Sequence, residues 1–368
     1  MPDYEKNFAY NVKRLRKAQG LTQKMLADAA GCSEKTVSKW EAGISVPYVD
    51  TLFKLTKILH TGIENLFVDA AQVYYLGIDG GGTKTALKLT DGDGVVLRTL
   101  EAASCNPYDS GMNAAQDILC RAIYEICGAI PLSSIVMFAG IAGGTAGENK
   151  KQLTAFFDTF RFLRAGNGSD NDNLIAAGLG GTDGITLLMG TGICVFTVRR
   201  GVKHRMSGWG YLFDDGGSAF NLGREAIHAA YSAFDGSGEE TLLRTLIEEE
   251  ENGTMDELLS VFYQGGKRKI ASFAPLVFRA AKEGDRAAER IIDRNLDVVV
   301  GLLCSAASEF PESGEIPVVI AGGVTREETL LRRLGEKLGA DTRLRLRILD
   351  TEPVDGAVLL ARKLYPVT

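Results

Sequence analysis

The sequence predicts a small all-α domain followed by a larger α/β body of two similar halves. Residues 8–67 read as a series of short helices, because their apolar residues recur at helical spacing. From residue 73 onward strand-like and helix-like segments alternate, and a glycine-threonine turn between two apolar strands occurs twice, at residues 80–83 and 190–192. A chain of 368 residues is too long for one core. We therefore expect three domains, at residues 1–70, 73–184 and 185–368.

Composition narrows the class of protein. With 45% apolar and 24% charged residues the chain has the profile of a globular protein, and no apolar run reaches membrane-spanning length. Six cysteines are scattered without a CxxC pair and there are only three histidines, which predicts reduced core cysteines and no zinc site. The polar N-terminus carries two acids and does not resemble a signal peptide. We expect a cytoplasmic protein without a membrane partner.

The front of the chain (residues 1–70) and the body differ in net charge. Residues 1–70 hold ten Lys and Arg against eight Asp and Glu, for a net +2. The total of 41 basic and 47 acidic residues leaves 31 against 39 for the remainder, a net −8. A basic front on an acidic body indicates that only the front meets a polyanion.

The front contains the signals of a helix-turn-helix. Thr22 and Ser33 are good N-caps for two short helices, and Gly31 between them is a helix-ending residue. The stretch LRKAQGLTQKMLADAAGCSEKTVSKWEAG closely resembles the Cro/C1-type (XRE) DNA-binding family. The alternative is a helical protein-interaction or dimerisation module with a solvated polar face.

The XRE resemblance implies specific roles. A glutamine that opens the second helix contacts a backbone phosphate in that family, and the outward positions early in the third helix face the major groove. The residues at these positions are Gln23, Glu34, Lys35, Ser38 and Lys39. Because such domains usually read paired half-sites, the resemblance also implies a homodimer.

The first glycine turn, GIDGGGTKT, invites comparison with a P-loop. It differs by one residue, since Thr83 intervenes before Lys84 and Thr85. A P-loop also has to open a helix, whereas ALKLTDGDGVVL continues here as a β-hairpin. Walker-type nucleotide binding is therefore excluded by the pattern.

Four motifs of the body, in order, resemble the BadF/BadG/BcrA/BcrD ATPase family, and within it the N-acetylglucosamine kinases of the actin/hexokinase/Hsp70 superfamily. They are GIDGGGTKT and LMGTGICVF as the phosphate motifs, SGWGYLFDDGGSAFNLGREAI as the kinases' sugar stretch, and VVIAGGV as the adenosine motif. The resemblance implies an actin-like ATPase fold of two ribonuclease-H-like lobes facing a cleft. It also implies an ATP-dependent kinase that uses Mg²⁺ and phosphorylates an amino sugar or a related hexose.

Within that resemblance, Asp79 at the end of the first strand would hold Mg²⁺. The alternative for Asp79 is a turn-capping aspartate. The residues expected to bind the nucleotide are Gly80, Gly81, Gly82, Thr83, Lys84, Gly190, Thr191, Gly192, Gly322 and Gly323. For the last two, a tight strand-to-helix turn without a ligand is the alternative.

The catalytic base is expected in the stretch GSDNDNLIAAG. Asp172 follows an asparagine and is the choice for the base, with Asp170 as competitor, and either acid could instead cap the next helix. The residues expected at the sugar are Asn106, Asp172, Gly208, Trp209, Gly210 and Asp215, and Trp209 is about as suited to a core position. Two positions depart from the family: Ile193 stands where serine is frequent, and Gly216 where related kinases commonly have glutamate.

These departures leave two functions open. The first is a working sugar kinase whose DNA-binding domain regulates genes. The second is a transcriptional regulator whose kinase-like body has become a sugar or nucleotide sensor with weakened catalysis. An activator ATPase with a shared iron–sulfur cluster is disfavoured because the cysteines show no suitable arrangement. The ROK kinases and repressors are disfavoured because no clustered Cys/His motif occurs.

Overall fold

A computed structural model describes residues 4–67, 73–311, 314–339 and 343–365. Residues 68–72, at the predicted boundary between the first domain and the body, lie outside them. The first domain is all-α, as predicted, with helices α1 (Tyr4–Ala18), α2 (Gln23–Ala30), α3 (Glu34–Glu41) and α4 (Val49–Ile58), then a 3₁₀ turn at Glu64–Leu66.

The helix-turn-helix is formed by α2 and α3. The side chains of Thr22 and Ser33 accept hydrogen bonds from the first turns of these helices, and Gly31 ends α2 with a left-handed φ of 74°. Both helices pack through apolar residues, among them Leu26, Val37 and Trp40, onto α1 and α4. The predicted caps and turn are confirmed.

The first lobe of the body is built on a five-stranded sheet of order β3-β2-β1-β4-β5. Strands β1, β2 and β3 form antiparallel pairs, while β4 and β5 continue the sheet in parallel with β1. The strands are β1 (Tyr74–Gly80), β2 (Lys84–Thr90), β3 (Val96–Ala103), β4 (Ile135–Ile141) and β5 (Arg164–Gly168). The helices are α5 (Pro107–Ser110), α6 (Met112–Cys127), α7 (Asn149–Asp158) and α8 (Asp170–Leu179).

The second lobe repeats this plan with a sheet of order β10-β9-β6-β7-β8. Its strands are β6 (Gly184–Met189), β7 (Ile193–Arg199), β8 (Val202–Arg205), β9 (Ile316–Ala321) and β10 (Leu344–Ile348). Its helices are α9 (Ala219–Phe234), α10 (Leu242–Glu251), α11 (Met255–Ala271), α12 (Ala274–Lys282), α13 (Arg286–Ala307) and α14 (Glu328–Leu338). The segment after α11 forms two helices, α12 and α13, because the Asp285 side chain caps the start of α13.

The last helix, α15 (Pro353–Leu364), packs on β1 of the first lobe. The helix lies so close that a Cβ on Gly77 would come within 2.6 Å of the Val358 nitrogen. By packing, residues 1–177 and 352–368 form one compact unit and residues 178–351 another. This division differs from the predicted one, because α15 returns to the first lobe and the helix-turn-helix domain packs with it.

A polar joint connects the helix-turn-helix domain to the first lobe. The Tyr365 hydroxyl donates to Asn11 Oδ1 (2.9 Å), and the Arg14 guanidinium lies 3.3 Å from the centre of the Tyr365 ring. The backbone oxygen of Tyr365 in turn accepts from the Tyr75 hydroxyl on β1 (2.7 Å). Tyr365 is 1% exposed, so the joint is buried from solvent. Within the described residues, none of the helices has the length and hydropathy to cross a bilayer.

Candidate active site

Asp79 is the carboxylate at the end of β1, immediately before the glycine turn. Its Oδ1 accepts a 2.7 Å hydrogen bond from Asn173 Nδ2. Burial, together with the nearby charges of Asp170 and Glu352, raises the pKa of Asp79 to about 6, although the hydrogen bond from Asn173 and the charge of Lys84 lower it. A buried carboxylate near other acids is a group that a bound cation would stabilise.

Asn173 is a site residue that the sequence did not single out. It is fully buried in α8, and its Nδ2 lies within hydrogen-bond distance of Asp79, the Ile78 oxygen and the Gly140 oxygen (2.7 to 3.2 Å). A Cβ on Gly140 would lie 2.3 Å from Asn173 Oδ1, so only glycine admits this side chain. Asn173 thereby ties the ends of β1 and β4 to the start of α8.

The first glycine turn presents its tip to solvent. Gly81 N donates to the Lys84 oxygen (3.0 Å), and Gly82, Thr83 and Lys84 are exposed beyond that bond. Gly80 has a structural role instead, because a Cβ there would lie 2.6 Å from Cys105 Sγ. The turn therefore offers backbone N–H groups and a hydroxyl to an anion, while the Lys84 ammonium pairs with Glu101 (2.7 Å).

A cavity of about 250 Å³ in the first lobe contains this carboxylate and this lysine. Its lining includes Asp79, Lys84, Lys88, Glu101 and Glu352. Among the described residues no group of three His, Cys, Asp or Glu side chains could hold a metal ion alone. Mg²⁺ usually binds one or two carboxylates together with phosphate oxygens and water, so Asp79 beside a phosphate-sized turn fits that ion.

The two candidate bases have different surroundings. Asp172 Oδ2 accepts from the backbone nitrogen of Ser169 (2.8 Å) and lies 3.1 Å from its hydroxyl, so Asp172 caps the start of α8. Asp170 accepts from Asn171 Nδ2 (3.2 Å) and is close enough to Asp79 to raise that pKa. Asp172 as the base stays a prediction, and the capping that the sequence allowed for one of these acids is observed.

Asn106 lies at the start of α5 in the first lobe. Its Oδ1 accepts from Tyr108 N and its Nδ2 donates to Asp109, both at 3.0 Å. Gly143, with a left-handed φ of 71°, passes so close that a Cβ would lie 2.8 Å from Asn106 Oδ1. The side chain is thus fixed next to the loop after β4, and its proposed contact with a sugar remains a prediction.

The second glycine turn lies between β6 and β7 of the second lobe. Gly190 N donates to the Gly192 oxygen (2.9 Å), and Ala219 N at the start of α9 donates to the Gly190 oxygen (2.8 Å). Thr191 and Gly192 are exposed at the tip. Anchored on α9, this tip again presents a threonine hydroxyl and backbone donors.

The glycines of the predicted adenosine motif differ from one another. Gly322 has φ 111°, and a Cβ there would lie 2.3 Å from the Met189 oxygen at the end of β6. Gly323 has no atom within 4 Å of its Cβ position. Gly322 therefore has a structural role next to the second glycine turn, while the surface at Gly323 is open to a ligand.

The predicted sugar stretch is organised by Asp214, which the sequence did not single out. Its carboxylate accepts from the backbone nitrogens of Gly208, Trp209 and Gly210 (2.9 to 3.2 Å). Asp215 is exposed and makes no hydrogen bond or ion pair within the described part of the chain. Trp209 is 65% exposed beneath the Arg205 guanidinium (4.5 Å), which argues against the core position and leaves the aromatic platform.

The predicted DNA-reading residues of α3 face outward. Glu34, Lys35, Ser38 and Lys39 are all exposed, whereas Val37 and Trp40 are buried. Gln23 instead points inward, where its Nε2 donates to Glu41 Oε2 (2.8 Å), which also accepts from Arg16 Nη2 (3.0 Å). Burial raises the pKa of Glu41, but these two hydrogen bonds together with the charges of Arg16 and Lys13 outweigh it and hold the pKa below its usual value. If Gln23 contacted a phosphate, its side-chain amide would have to do so in addition to, or in place of, its hydrogen bond to Glu41.

The geometry agrees with comparisons to known proteins. The model of the BadF/BadG/BcrA/BcrD ATPase family matches residues 76–361, and a helix-turn-helix model matches residues 12–66. The chain belongs to the BadF/BadG/BcrA/BcrD ATPase family. An N-acetylmuramic acid/N-acetylglucosamine kinase of Clostridium acetobutylicum is 28% identical over 78% of this chain and 98% of its own length. An N-acetyl-D-glucosamine kinase of Dictyostelium discoideum is 27% identical over 78% and 97%.

Solved structures confirm the fold of this family member. A Chromobacterium violaceum protein assigned as an N-acetylglucosamine kinase superposes with a TM-score of 0.65 at 24% identity, covering 79% of this chain and 99% of its own. The predicted two-lobed actin-like fold, preceded by a helix-turn-helix domain, is confirmed.

The two positions that depart from the ATPase family's motifs both lie in the second lobe. Ile193 is 3% exposed, and its Cδ1 lies 2.7 Å from the Cβ position of Gly217. Gly216 packs against Val298 of α13, whose Cγ2 lies 3.0 Å from the Cβ position of Gly216. Ile193 is therefore a core residue rather than a ligand contact, and the space for a glutamate side chain at position 216 is occupied by α13.

Proposed function

We propose that this protein is an ATP-dependent sugar kinase that phosphorylates an amino sugar or a related hexose, and that its first domain binds DNA. The buried Asp79 carboxylate beside the first glycine turn carries the proposal, because burial disfavours its charged form and a bound cation would stabilise that form. Two curated relatives, matched over 98% and 97% of their length, are kinases of N-acetylated amino sugars, which supports this substrate class.

The reaction would proceed as an in-line transfer. The sugar hydroxyl oxygen forms a bond to the γ-phosphorus of ATP, the bond from that phosphorus to the β,γ-bridging oxygen breaks, and the hydroxyl proton passes to an aspartate. Asp172 and Asp170 are the two candidates for that base. Mg²⁺, held by Asp79, would neutralise the phosphate charge. The glycine-threonine tips at Thr83 and Thr191 would donate to phosphate oxygens, and Gly323 would face the adenosine.

In the sugar stretch, the Asp214 carboxylate holds the turn that carries Trp209. With Asp214 engaged, Asp215 is the carboxylate available to accept from sugar hydroxyls. Asn106 in the first lobe is the amide candidate for the same task. Trp209 would present an apolar face to the sugar ring.

Turnover with a panel of sugars tests the proposal. ADP formation is followed with Mg·ATP and N-acetylglucosamine, N-acetylmuramic acid, glucosamine or glucose. Sugar-dependent ADP release is expected, and Asp79→Asn should abolish it. Wild-type protein that binds sugar but releases no ADP would overturn the kinase and favour the sensor that the departures at Ile193 and Gly216 left open.

The base is identified by comparing two matched variants. Asp172→Asn and Asp170→Asn each remove one carboxylate from the same helical turn. Loss of about 10²–10⁴ in kcat marks the general base. A loss confined to Asp170→Asn would show that Asp172 is only the cap, and a loss confined to Asp172→Asn would establish it as the base.

For the DNA-binding domain we propose a homodimer that reads paired half-sites with the exposed face of α3. A regulatory role in sugar metabolism follows if the protein binds its own promoter region and sugar changes that binding. Light scattering of the full chain gives the oligomeric state, and a monomer at micromolar concentration would contradict the paired-site arrangement.

A further inference from the structure

Within the predicted sugar stretch, the turn at Gly216 and Gly217 joins residues 208–215 to α9. Gly217 has a left-handed φ of 83°, and its Cβ position is closed by Val299 Cγ2 (2.6 Å) and Ile193 Cδ1 (2.7 Å). Gly216, Gly217 and Ser218 are all buried, and Ser218 caps α9. Because this packing restricts the turn, its conformation depends on the groups that hydrogen-bond to its backbone.

One side chain from α13 holds that backbone. Asn295 is 3% exposed, and its Oδ1 accepts a 2.8 Å hydrogen bond from Gly217 N. The same oxygen lies 3.3 Å from the Cβ position of Gly216. Asn295 is 78 residues from Gly217 in the sequence, so this bond fixes the turn to a different element of the lobe.

The orientation of the Asn295 amide is determined by its neighbours. Its Nδ2 donates to the Ile291 oxygen (2.9 Å) and to Glu225 Oε2 (3.3 Å). Both partners are acceptors, so the amide oxygen could not take the place of the nitrogen. Glu225 is 9% exposed and is paired with Arg294, which neutralises its charge. The chain of contacts from Arg294 through Glu225 and Asn295 therefore ends at the nitrogen of Gly217.

We propose that Asn295 is a positioning residue for sugar binding, and that Glu225 sets the direction of its amide. Asn295 acts through the Gly217 backbone, which keeps Asp214, Asp215 and Trp209 in place for the sugar. This inference rests on the proposed function, because it assumes that residues 208–218 contact sugar. It also accounts for Gly216: α13 fills the space in which a larger residue would project.

A swap of donor and acceptor tests this role. Asn295→Asp keeps the shape and the acceptor for Gly217 N but places a second carboxylate against Glu225. We expect the KM for sugar to rise about tenfold, with the KM for ATP unchanged and kcat within about threefold. The double variant Asn295→Asp with Glu225→Gln restores a donor opposite the new carboxylate at unchanged net charge. Its KM for sugar should return to within about threefold of wild type.

The control is Asp297→Asn, which removes an exposed charge from the same helix where it pairs with Lys337. It should leave the KM for sugar unchanged. If the KM for sugar of the double variant is no lower than that of Asn295→Asp, the direction of the amide has no role and the inference fails. Equal loss of sugar and ATP affinity would likewise indicate a general packing effect.

Hydrogen exchange separates failure of this inference from failure of the kinase proposal. Mass spectrometry of peptides spanning 211–219 measures exchange at the Gly217 amide. Because repulsion from Glu225 should push the new carboxylate away from Gly217 N, this amide should exchange faster in Asn295→Asp and regain protection in the double variant. That result is expected even if wild-type protein shows no sugar-dependent turnover. Unchanged exchange in Asn295→Asp would overturn the positioning role while leaving the kinase proposal intact.

Discussion

The Asn173 side chain donates a 2.7 Å hydrogen bond to the carboxylate of Asp79, 94 residues earlier in the chain. The bond lowers the pKa of Asp79, but burial and two neighbouring acids outweigh it. The carboxylate is therefore held in one geometry at an electrostatic cost that a cation would remove. At the proposed metal site, the hydrogen bond thus holds the Asp79 carboxylate in place while its surroundings disfavour the negative charge.

The first prediction concerns Asp79 and pH. The folded-state pKa of about 6 exceeds the ordinary value of 3.8, so the folded protein binds this proton more tightly than the unfolded chain. The associated stability is fully present below pH 4 and is lost as the pH rises through about 6. At pH 7.5 without metal, Asp79→Asn should raise the free energy of unfolding by about 3 kcal/mol.

Urea unfolding between pH 4 and 8 measures this effect. The control Asp117→Asn removes an exposed carboxylate from α6 and should leave the pH profile unchanged. Mg·ATP should stabilise wild-type protein but not Asp79→Asn. An Asp79→Asn profile identical to wild type would contradict the buried-carboxylate interpretation.

The second prediction separates two adjacent glycines. Gly322→Ala should destabilise the protein by several kcal/mol, because its φ is left-handed and the added Cβ would collide with the Met189 backbone. Gly323→Ala should change the free energy of unfolding by less than about 1 kcal/mol, since its Cβ position is open. If adenosine approaches Gly323, however, the KM for ATP should rise with the KM for sugar unchanged. Thermal unfolding and steady-state kinetics measure both, and an unaltered KM for ATP in Gly323→Ala would mean that this turn has no ligand.

The third prediction concerns the joint at Tyr365. Tyr365→Phe removes the hydroxyl that donates to Asn11 and should cost about 1 kcal/mol. Tyr365→Ala also removes the ring under Arg14 and should cost about 3–5 kcal/mol. Because the joint connects the helix-turn-helix domain to the first lobe, we expect limited proteolysis to release that domain from Tyr365→Ala first. Equal resistance of wild type and Tyr365→Ala would show that the joint contributes little to docking.

The fourth prediction concerns DNA. If Lys35 and Lys39 contact phosphates, replacing either by alanine should weaken DNA binding and reduce the salt slope by about 1. If they read base edges, affinity should fall for the preferred sequence only, with the slope unchanged. Gel shifts on the protein's own promoter region at several salt concentrations distinguish these cases. Lys151→Ala, an exposed lysine on the first lobe, is the control, and two variants that bind like it would favour the protein-interaction alternative.

Local features of the molecule were predictable from sequence. The caps Thr22 and Ser33, the turn at Gly31 and the strand-turn-strand form of both glycine turns depend on residues close together in the chain. Hydrogen bonds within a turn and the period of apolar residues determine them, so the pattern alone was sufficient to exclude a P-loop and to predict the two lobes.

The tertiary structure decided the contacts and the exposure of groups whose chemistry suited more than one role. It assigned a capping role to Asp172, joined Gln23 to Glu41, exposed Trp209 and brought α15 back to the first lobe. It also revealed Asn173 and Asn295, whose partners lie 94 and 78 residues away. The residue types and the local turns of this protein follow from its sequence. Their partners and charge states follow from burial and long-range hydrogen bonds, which depend on how the elements pack.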